Sequence, residues 1–509
     1  MRAFIFLTSA VALVLSATAG SHDAMMTSIR SSERSAVLRD VKSGGPRVAI
    51  TNSAVRRAMR YRESLEAGRL AVGPTVSTIY GDVTGVTGGN VNQFLGVPFA
   101  SQPIGDARWR APAKPANWGS LNATWFGKTC PQAQSDADTW ALLTGTDEAC
   151  LYLNIYAPKM PPPPSGYPIM LFWHGGSFEY GSAGFPLYDG FFDVALTNKT
   201  IIITSNYRLG IFGFLAGDAL KSESPDGSVG TYGTMDQRAS LEFVRDTATA
   251  FGGDPTRVTI FGESAGAASV SQHLVSPRSR GLFSGAIIES GAFSVWTTQP
   301  YNISSTRLPQ FAKIVGCDAA DLVCMRAVNT SEALKADSGL TSAFLEWSPT
   351  IDGVEVVDDP RVLLSKGLAA DVPVMMGFNA DEGTMFAPGP KDLNETEYVA
   401  EIATILPLAQ AKIVAAAYPC SLFKPDLGAS ACWWGIAQFF RDAMMACPVM
   451  TTASTLATQP RSSASKTFAY FYTQVLFIVD IVDLFKPCVR SSLSLSEYVV
   501  VSRSLACAF

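Results

Sequence analysis

Ser264 lies in Gly262-Glu263-Ser264-Ala265-Gly266, between the apolar, strand-forming run Val258-Thr259-Ile260-Phe261 and the small, helix-compatible residues Ala267 to Leu274. A strand that turns sharply into a helix projects the serine Oγ above the sheet, with the helix N-terminus beneath it. The turn is too tight for side chains on its flanks, which accounts for the glycines. Such a hydroxyl is a candidate nucleophile for acyl transfer. The bare pattern says little in a chain with 42 glycines, so its specificity comes from its surroundings. Directly after the apolar run that ends at Trp173 stands His174-Gly175-Gly176. Alone, a Gly-Gly pair reads as an ordinary turn. Beside the elbow, the backbone N–H groups of Gly175, Gly176 and Ala265 read as an oxyanion hole, because no side chain blocks their approach to a developing negative charge.

A serine hydroxyl needs a neighbouring base to become a nucleophile. The chain holds only His22, His174 and His273. His273 follows Ser264 by nine residues, which on a continuous helix is ~13 Å along the axis and about 900° of rotation, so it faces away from Oγ. His174 introduces the oxyanion loop, and His22 sits in a polar segment near the N-terminus. With three histidines and no C-x-x-C, a metal constellation has almost no raw material. Neither a metal nor a cofactor is expected.

The elements that must hold these residues follow from periodicity. Strand-like runs, Pro168 to Trp173, Thr200 to Ser205, Arg257 to Phe261, Gly285 to Ile288, Val372 to Met376 and Thr467 to Tyr472, alternate with helical stretches such as Met235 to Phe251, closed by Gly252-Gly253. That alternation predicts an α/β fold with helices on both faces of a sheet. A hydrophobic content of 47% against 16% charged residues excludes disorder. A net charge of -5 with no block of Lys and Arg excludes a nucleic-acid partner.

The N-terminus has the order of a secretory signal: Arg2, an apolar run from Ala3 to Leu15, then Ala17-Thr18-Ala19, with cleavage expected after Ala19. The run is short of the ~20 residues that span a bilayer, and the later run Val475 to Phe485 carries Asp480 and Asp483, so no transmembrane anchor is expected. Residues 20–74 read as a polar tail or propeptide, 75–474 as the catalytic body and 475–509 as a divergent C-terminal segment. Secretion predicts that the nine cysteines mostly form disulfides, and the sequons at Asn122, Asn198, Asn302, Asn329 and Asn394 fit a glycosylated surface.

Phe94-Leu95-Gly96-Val97-Pro98-Phe99-Ala100, Cys150-Leu151-Tyr152-Leu153-Asn154-Ile155-Tyr156, Asn206-Tyr207-Arg208-Leu209-Gly210 and Phe251-Gly252-Gly253-Asp254-Pro255 onward to Ala267 resemble the type-B carboxylesterase and cholinesterase family of α/β-hydrolases. That family also contains the non-catalytic neuroligins. The resemblance covers roughly Thr78 to Gln474. It implies a twisted, mostly parallel sheet and hydrolysis of a small-molecule carboxylic ester through an acyl-enzyme. It also implies that Glu382, in Asn379-Ala380-Asp381-Glu382-Gly383, is the triad acid that orients an imidazole, with Asp381 as the neighbouring alternative. Cys130 with Cys150, and Cys317 with Cys324, match family disulfides, each worth ~3 kcal/mol across a short loop. Arg108 and Glu148 match a family ion pair. Trp296 falls where the family places acyl-pocket aromatics, and Trp140 could offer a face to a quaternary ammonium. Cys420 and Cys432 are spaced for a local bridge, whereas Cys447, Cys488 and Cys507 suggest no pairing.

The family's base is a histidine well after the triad acid, and no histidine follows Glu382 here. The fold is therefore expected to be incomplete at its C-terminal part and the catalyst crippled. Either the reading frame or a splice boundary near Gln474 departs from that of the functional gene product, or the base was lost and the protein persists as a neuroligin-like adhesion or ligand-binding protein with a protein partner. The retention of Ser264, its glycines and Glu382 favours the first explanation.

Overall fold

The computed structural model describes residues 71–132, 144–185, 188–190, 194, 197–340, 347–462 and 464–473. The expected leader and most of the polar tail, His22, Trp140 and all of the divergent C-terminal segment lie outside the described residues. The chain enters its sheet through three antiparallel strands that no strong apolar run announces: β1 (Ala71–Thr78), β2 (Gly81–Gly88) and β3 (Val91–Pro98). Then come β4 (Gly119–Asn122), β5 (Tyr152–Pro158), β6 (Tyr167–Trp173), β7 (Ile201–Ser205), β8 (Gly253–Glu263) and β9 (Gly285–Glu289). Their lateral order is β1-β2-β3-β5-β7-β6-β8-β9, with β4 on β2. The pairs β7-β6, β6-β8 and β8-β9 are parallel, and those from β1 through β5 to β7 are antiparallel. β7 is buried at every residue, as a central strand covered on both faces must be. β10 (Gln299–Pro300) and β11 (Thr350–Ile351) form a separate two-stranded pair.

Packing divides the chain into two compact units, Met1–Met375 with Ser454–Phe468, and Met376–Ala453 with Ala469–Phe509. β12 (Val374–Asn379) and β13 (Thr467–Tyr472) each begin in the first unit and end in the second. In the first unit, helix α1 (Tyr232–Thr247) ends sooner than the periodicity predicts. A single 3-10 turn, Ala248–Phe251, follows it, and Gly252 at φ 82° reverses the chain into β8. Val244 of α1 and the adjoining Phe251 close an apolar layer over Ile155, Ile169, Ile201 and Ile203. Helix α2 (Ala265–Val275) leaves β8 at Ser264.

The segments that carry the family resemblance act as ties in this unit. Asn154 accepts the Gly96 N–H at 3.0 Å and donates to the Ala183 carbonyl at 3.1 Å. Asn206 donates to the carbonyls of Lys128 and Cys150, both at 3.0 Å. Arg208 meets the fully buried Asp236 through two side-chain bonds, at 2.8 and 2.7 Å. Arg108 and Glu148 form the expected pair, at 2.7 and 2.5 Å, and Thr330 Oγ1 adds a hydrogen bond to Glu148. Cys130–Cys150 and Cys317–Cys324 are bridged.

The second unit gathers α3 (Glu395–Ile402), α4 (Leu408–Ala417) and α5 (Ala431–Arg441) around Tyr398, Ile402, Val414, Trp433 and Ile436. Asn394 and Glu397 form a reciprocal capping box at the start of α3. Cys420–Cys432 is bridged as its spacing suggested. Cys447, for which the sequence offered no pairing, is disulfide-bonded as well. No helix among the described residues is long and apolar enough to cross a membrane.

Candidate active site

The site residues of the first unit lie at the carboxyl ends of parallel strands: His174 after β6, Ser264 after β8 and Glu289 at the end of β9. Open α/β sheets bind ligands at this edge. Ser264 has φ 56° and ψ -119°, a left-handed conformation that a non-glycine residue adopts at a cost. The surroundings enforce it. The Ser264 N–H donates to the Glu289 carbonyl at 3.0 Å, and the Ser264 carbonyl accepts the Ala268 N–H at 2.9 Å.

Each glycine of the elbow is required by a close approach. A Cβ on Gly266 would overlap the Trp173 carbonyl oxygen, and one on Gly262 would fall 2.6 Å from the Gly266 carbonyl carbon. Gly175 sits against Ser264 itself, since a Cβ there would lie 3.0 Å from Ser264 Cβ and 2.8 Å from Glu263 Oε2. Gly176, at φ 104°, has no room for a side chain before the Tyr180 carbonyl. Ala265 opens α2, where the first N–H groups have no intrahelical carbonyl to reach. Ser264, Gly175 and Ala265 are thus brought together, with Gly176 next to Gly175 in the chain.

The turn after β9 was not anticipated. Ser290 also takes a left-handed conformation, at φ 54°, and a Cβ on Gly291 would lie 2.7 Å from the Ser264 carbonyl. The one available signal was Glu289-Ser290-Gly291 following an apolar run, as Glu263-Ser264 follows one. Burial pushes the Glu289 carboxyl well above the usual carboxylate range, because it disfavours the charged form.

The two described histidines bond elsewhere than to Ser264. His273 Nδ1 meets Ser279 Oγ at 2.8 Å and Nε2 meets Gln237 Oε1 at 3.2 Å. His174 Nδ1 meets the Gly175 carbonyl at 2.8 Å, and its ring stacks on Tyr207 with centroids 4.5 Å apart. Burial lowers the His174 pKa to about 4, with the backbone hydrogen bond opposing.

Glu382 belongs to the second unit. It is buried at the start of a 3-10 turn that follows β12. Its Oε1 accepts both the N–H and the Nδ2–H of Asn379, at 2.9 Å each. A Cβ on Gly383 would overlap the Ala437 carbonyl of α5, so only glycine admits that packing. Burial raises the pKa of the neighbouring Asp381, partly offset by Arg441. Trp296 is half-buried on the loop after β9. Among the described residues, no group of three or more His, Cys, Asp or Glu side chains is placed to hold a metal ion.

The sequence profile of the carboxylesterase family matches residues 72–492 of the chain. The chain belongs to the carboxylesterase family. The match runs past Gln474, where the motif-by-motif resemblance ends. This family member is 35% identical over 356 residues to the para-nitrobenzyl esterase of Bacillus subtilis (strain 168), covering 68% of this chain and 71% of that protein. It is 37% identical over 328 residues to the cholinesterase of Mus musculus, covering 60% of this chain and 53% of that protein, about half its length. A solved PNB esterase structure superposes with a TM-score of 0.65 at 31% identity, over 78% of this chain and 79% of that one. An α/β-hydrolase architecture and ester hydrolysis are therefore the fold and the activity of its family.

Proposed function

We propose that this carboxylesterase-family protein is a secreted, glycosylated serine hydrolase that forms its acyl-enzyme on Ser264. The observation that carries the reading is the strained Ser264 at the end of a parallel strand, with Gly175 against its Cβ and the N-terminus of α2 beneath it. Oγ attacks the ester carbonyl while its proton passes to water, and the carbonyl oxygen gains negative charge among the N–H groups of Gly175, Gly176 and Ala265. Collapse breaks the ester C–O bond, the alcohol leaves with a proton taken from water, the acyl group stays on Oγ, and water then releases the acid. Glu382 is the acid that would orient an imidazole, with its carboxylate already aimed by Asn379.

Among the described residues, no imidazole serves as the base. Neither His174 nor His273 has a ring nitrogen bonded to Ser264 Oγ. The 509-residue chain is therefore slow, retaining the ~10³ to 10⁴-fold acceleration over water that an oxyanion hole and binding supply without a complete triad. Export is supported by the signal-like N-terminus and by the bridged cysteines among the described residues. Asn122, Asn302, Asn329 and Asn394 are exposed and suited to carry glycans, whereas half-buried Asn198 donates Nδ2–H to Met160 Sδ at 2.7 Å.

Hydrolysis of a short-chain aryl ester and covalent capture of a fluorophosphonate probe test the proposal, each with Ser264→Ala as control. The expected result is slow turnover that disappears in the variant. Ordinary esterase rates, abolished by the same change, would mean that a base was overlooked. That no imidazole among the described residues bonds Ser264 also favours a second reading, a catalytically silent adhesion or ligand-binding protein. That reading predicts saturable partner binding unaffected by Ser264→Ala, and no capture even when a histidine-bearing C-terminal segment is restored. Re-reading the gene past the Gln474 codon for a Gly-flanked histidine separates the two.

A further inference from the structure

The oxyanion loop is tied down by a chain of contacts that begins at the first disulfide. Gln132 lies beside Cys130 and is buried. Its Nε2 donates to the carbonyls of Cys130 at 3.0 Å and Gly181 at 2.9 Å, and its Oε1 accepts the Gly181 N–H at 2.9 Å. Gly181, clamped from both sides and at φ 120°, packs so closely on the His174 imidazole that a Cβ would overlap Nδ1. The same Cβ would lie 2.9 Å from the Gly175 carbonyl oxygen, so Gly181 packs on both partners of the ring–carbonyl contact. From the other side Tyr207 stacks on the ring and donates its hydroxyl to the His174 carbonyl at 2.8 Å.

Two consequences follow. A carbonyl oxygen only accepts, so the 2.8 Å contact with the Gly175 carbonyl requires the proton on Nδ1. A trans peptide is planar with C=O and N–H opposed, so fixing the Gly175 carbonyl on the imidazole turns the Gly176 N–H away from it. We propose that His174, clamped by Gln132 through Gly181, is a positioning residue that locks the Gly175–Gly176 peptide with its N–H available to the oxyanion. The inference rests on reading Gly175 and Gly176 as oxyanion donors and assigns what holds them there. His174 itself neither accepts the Ser264 proton nor touches the substrate.

The experiment uses the full chain in four forms: wild type, His174→Leu, His174→Asn and Gln132→Leu. With three histidines in the sequence, a long-range ¹H–¹⁵N spectrum resolves the His174 tautomer directly. The expected result is the Nδ1–H form, unchanged from pH 6 to 9. Capture of a fluorophosphonate probe should then fall ~10 to 10²-fold in His174→Leu and Gln132→Leu, less than the ~10² to 10³ lost with an oxyanion donor outright. His174→Asn, whose amide can donate from near the Nδ1 position, should recover most of the rate at an unchanged melting temperature. An Nε2–H tautomer, or a folded Gln132→Leu protein that captures the probe at the wild-type rate, would overturn the proposal. Should His174→Leu not fold, Gln132→Leu and the tautomer decide. Absence of capture in the wild type would count against Ser264 as the nucleophile, and the tautomer would still decide the latch.

Discussion

Acidification should destabilise this protein through His273, and the size of the effect follows from its surroundings. The ring is fully buried in α2, bonded to Ser279 and Gln237, and lies 4.7 Å from the Trp173 ring. Burial first, and the Arg238 charge second, lower its pKa to about 3. An unfolded chain protonates near pH 6.5, so below that value protons favour the unfolded state. The stability His273 contributes is complete above about pH 6.5 and is lost as pH falls toward 3. At 1.36 kcal/mol per pH unit the loss is ~2 kcal/mol at pH 5. His174 acts in the same sense, down to about pH 4, whereas Glu289, whose pKa burial raises, acts in the opposite one. The wild-type curve is therefore a composite, and the difference between it and a His273→Gln curve isolates one group. Urea unfolding followed by tryptophan fluorescence at pH 5, 6, 7 and 8 is the assay. The variant should be less stable at pH 8, and the gap should narrow by ~2 kcal/mol between pH 7 and pH 5. Parallel curves would mean that folded His273 takes a proton as readily as the unfolded chain does, and the burial reasoning would fail.

Two further outcomes are expected. Gly266→Ala forces a methyl group onto the Trp173 carbonyl, and overpacking of this kind costs ~1 to 3 kcal/mol. Because the strain falls under Ser264, probe capture should drop along with the melting temperature, and a folded variant with unchanged capture would contradict the elbow geometry. Glu289→Gln removes an acid whose pKa is raised by burial. Such a group favours folding most fully below its unfolded pKa, near 4.5, and that contribution is lost as pH rises. The variant should gain stability relative to wild type as pH rises above about 4.5, and a pH-independent difference in denaturant midpoints would refute the assignment.

Much of the sheet and half of the site were legible before any coordinates. β6 to β9 and α1 carry strong local periodicity because burial is imposed on each segment along its own length. Gly262, Gly266, Gly175 and Gly176 announced close backbone approaches, and each proves to leave no room for a Cβ. The edge strand β1 escaped notice because it is largely exposed, and its Gly, Pro and Thr residues lack an apolar run. Gln132, Gly181 and Tyr207 carried no functional signal either. Gln132 meets Gly181 across 49 residues, and Tyr207 meets His174 across 33.

Taken by itself, the sequence determined that a serine would stand on a glycine-flanked turn between strand and helix, and that only three histidines exist to serve it. Both are properties of neighbouring residues or of composition. Tertiary structure alone decided which side chains surround that serine. Strand order brings the ends of β6, β8 and β9 together, and no local period encodes which strands become neighbours. It also decided that His174 and His273 direct their ring bonds to the Gly175 carbonyl, Ser279 and Gln237, because an imidazole's partners are set by what packs around it.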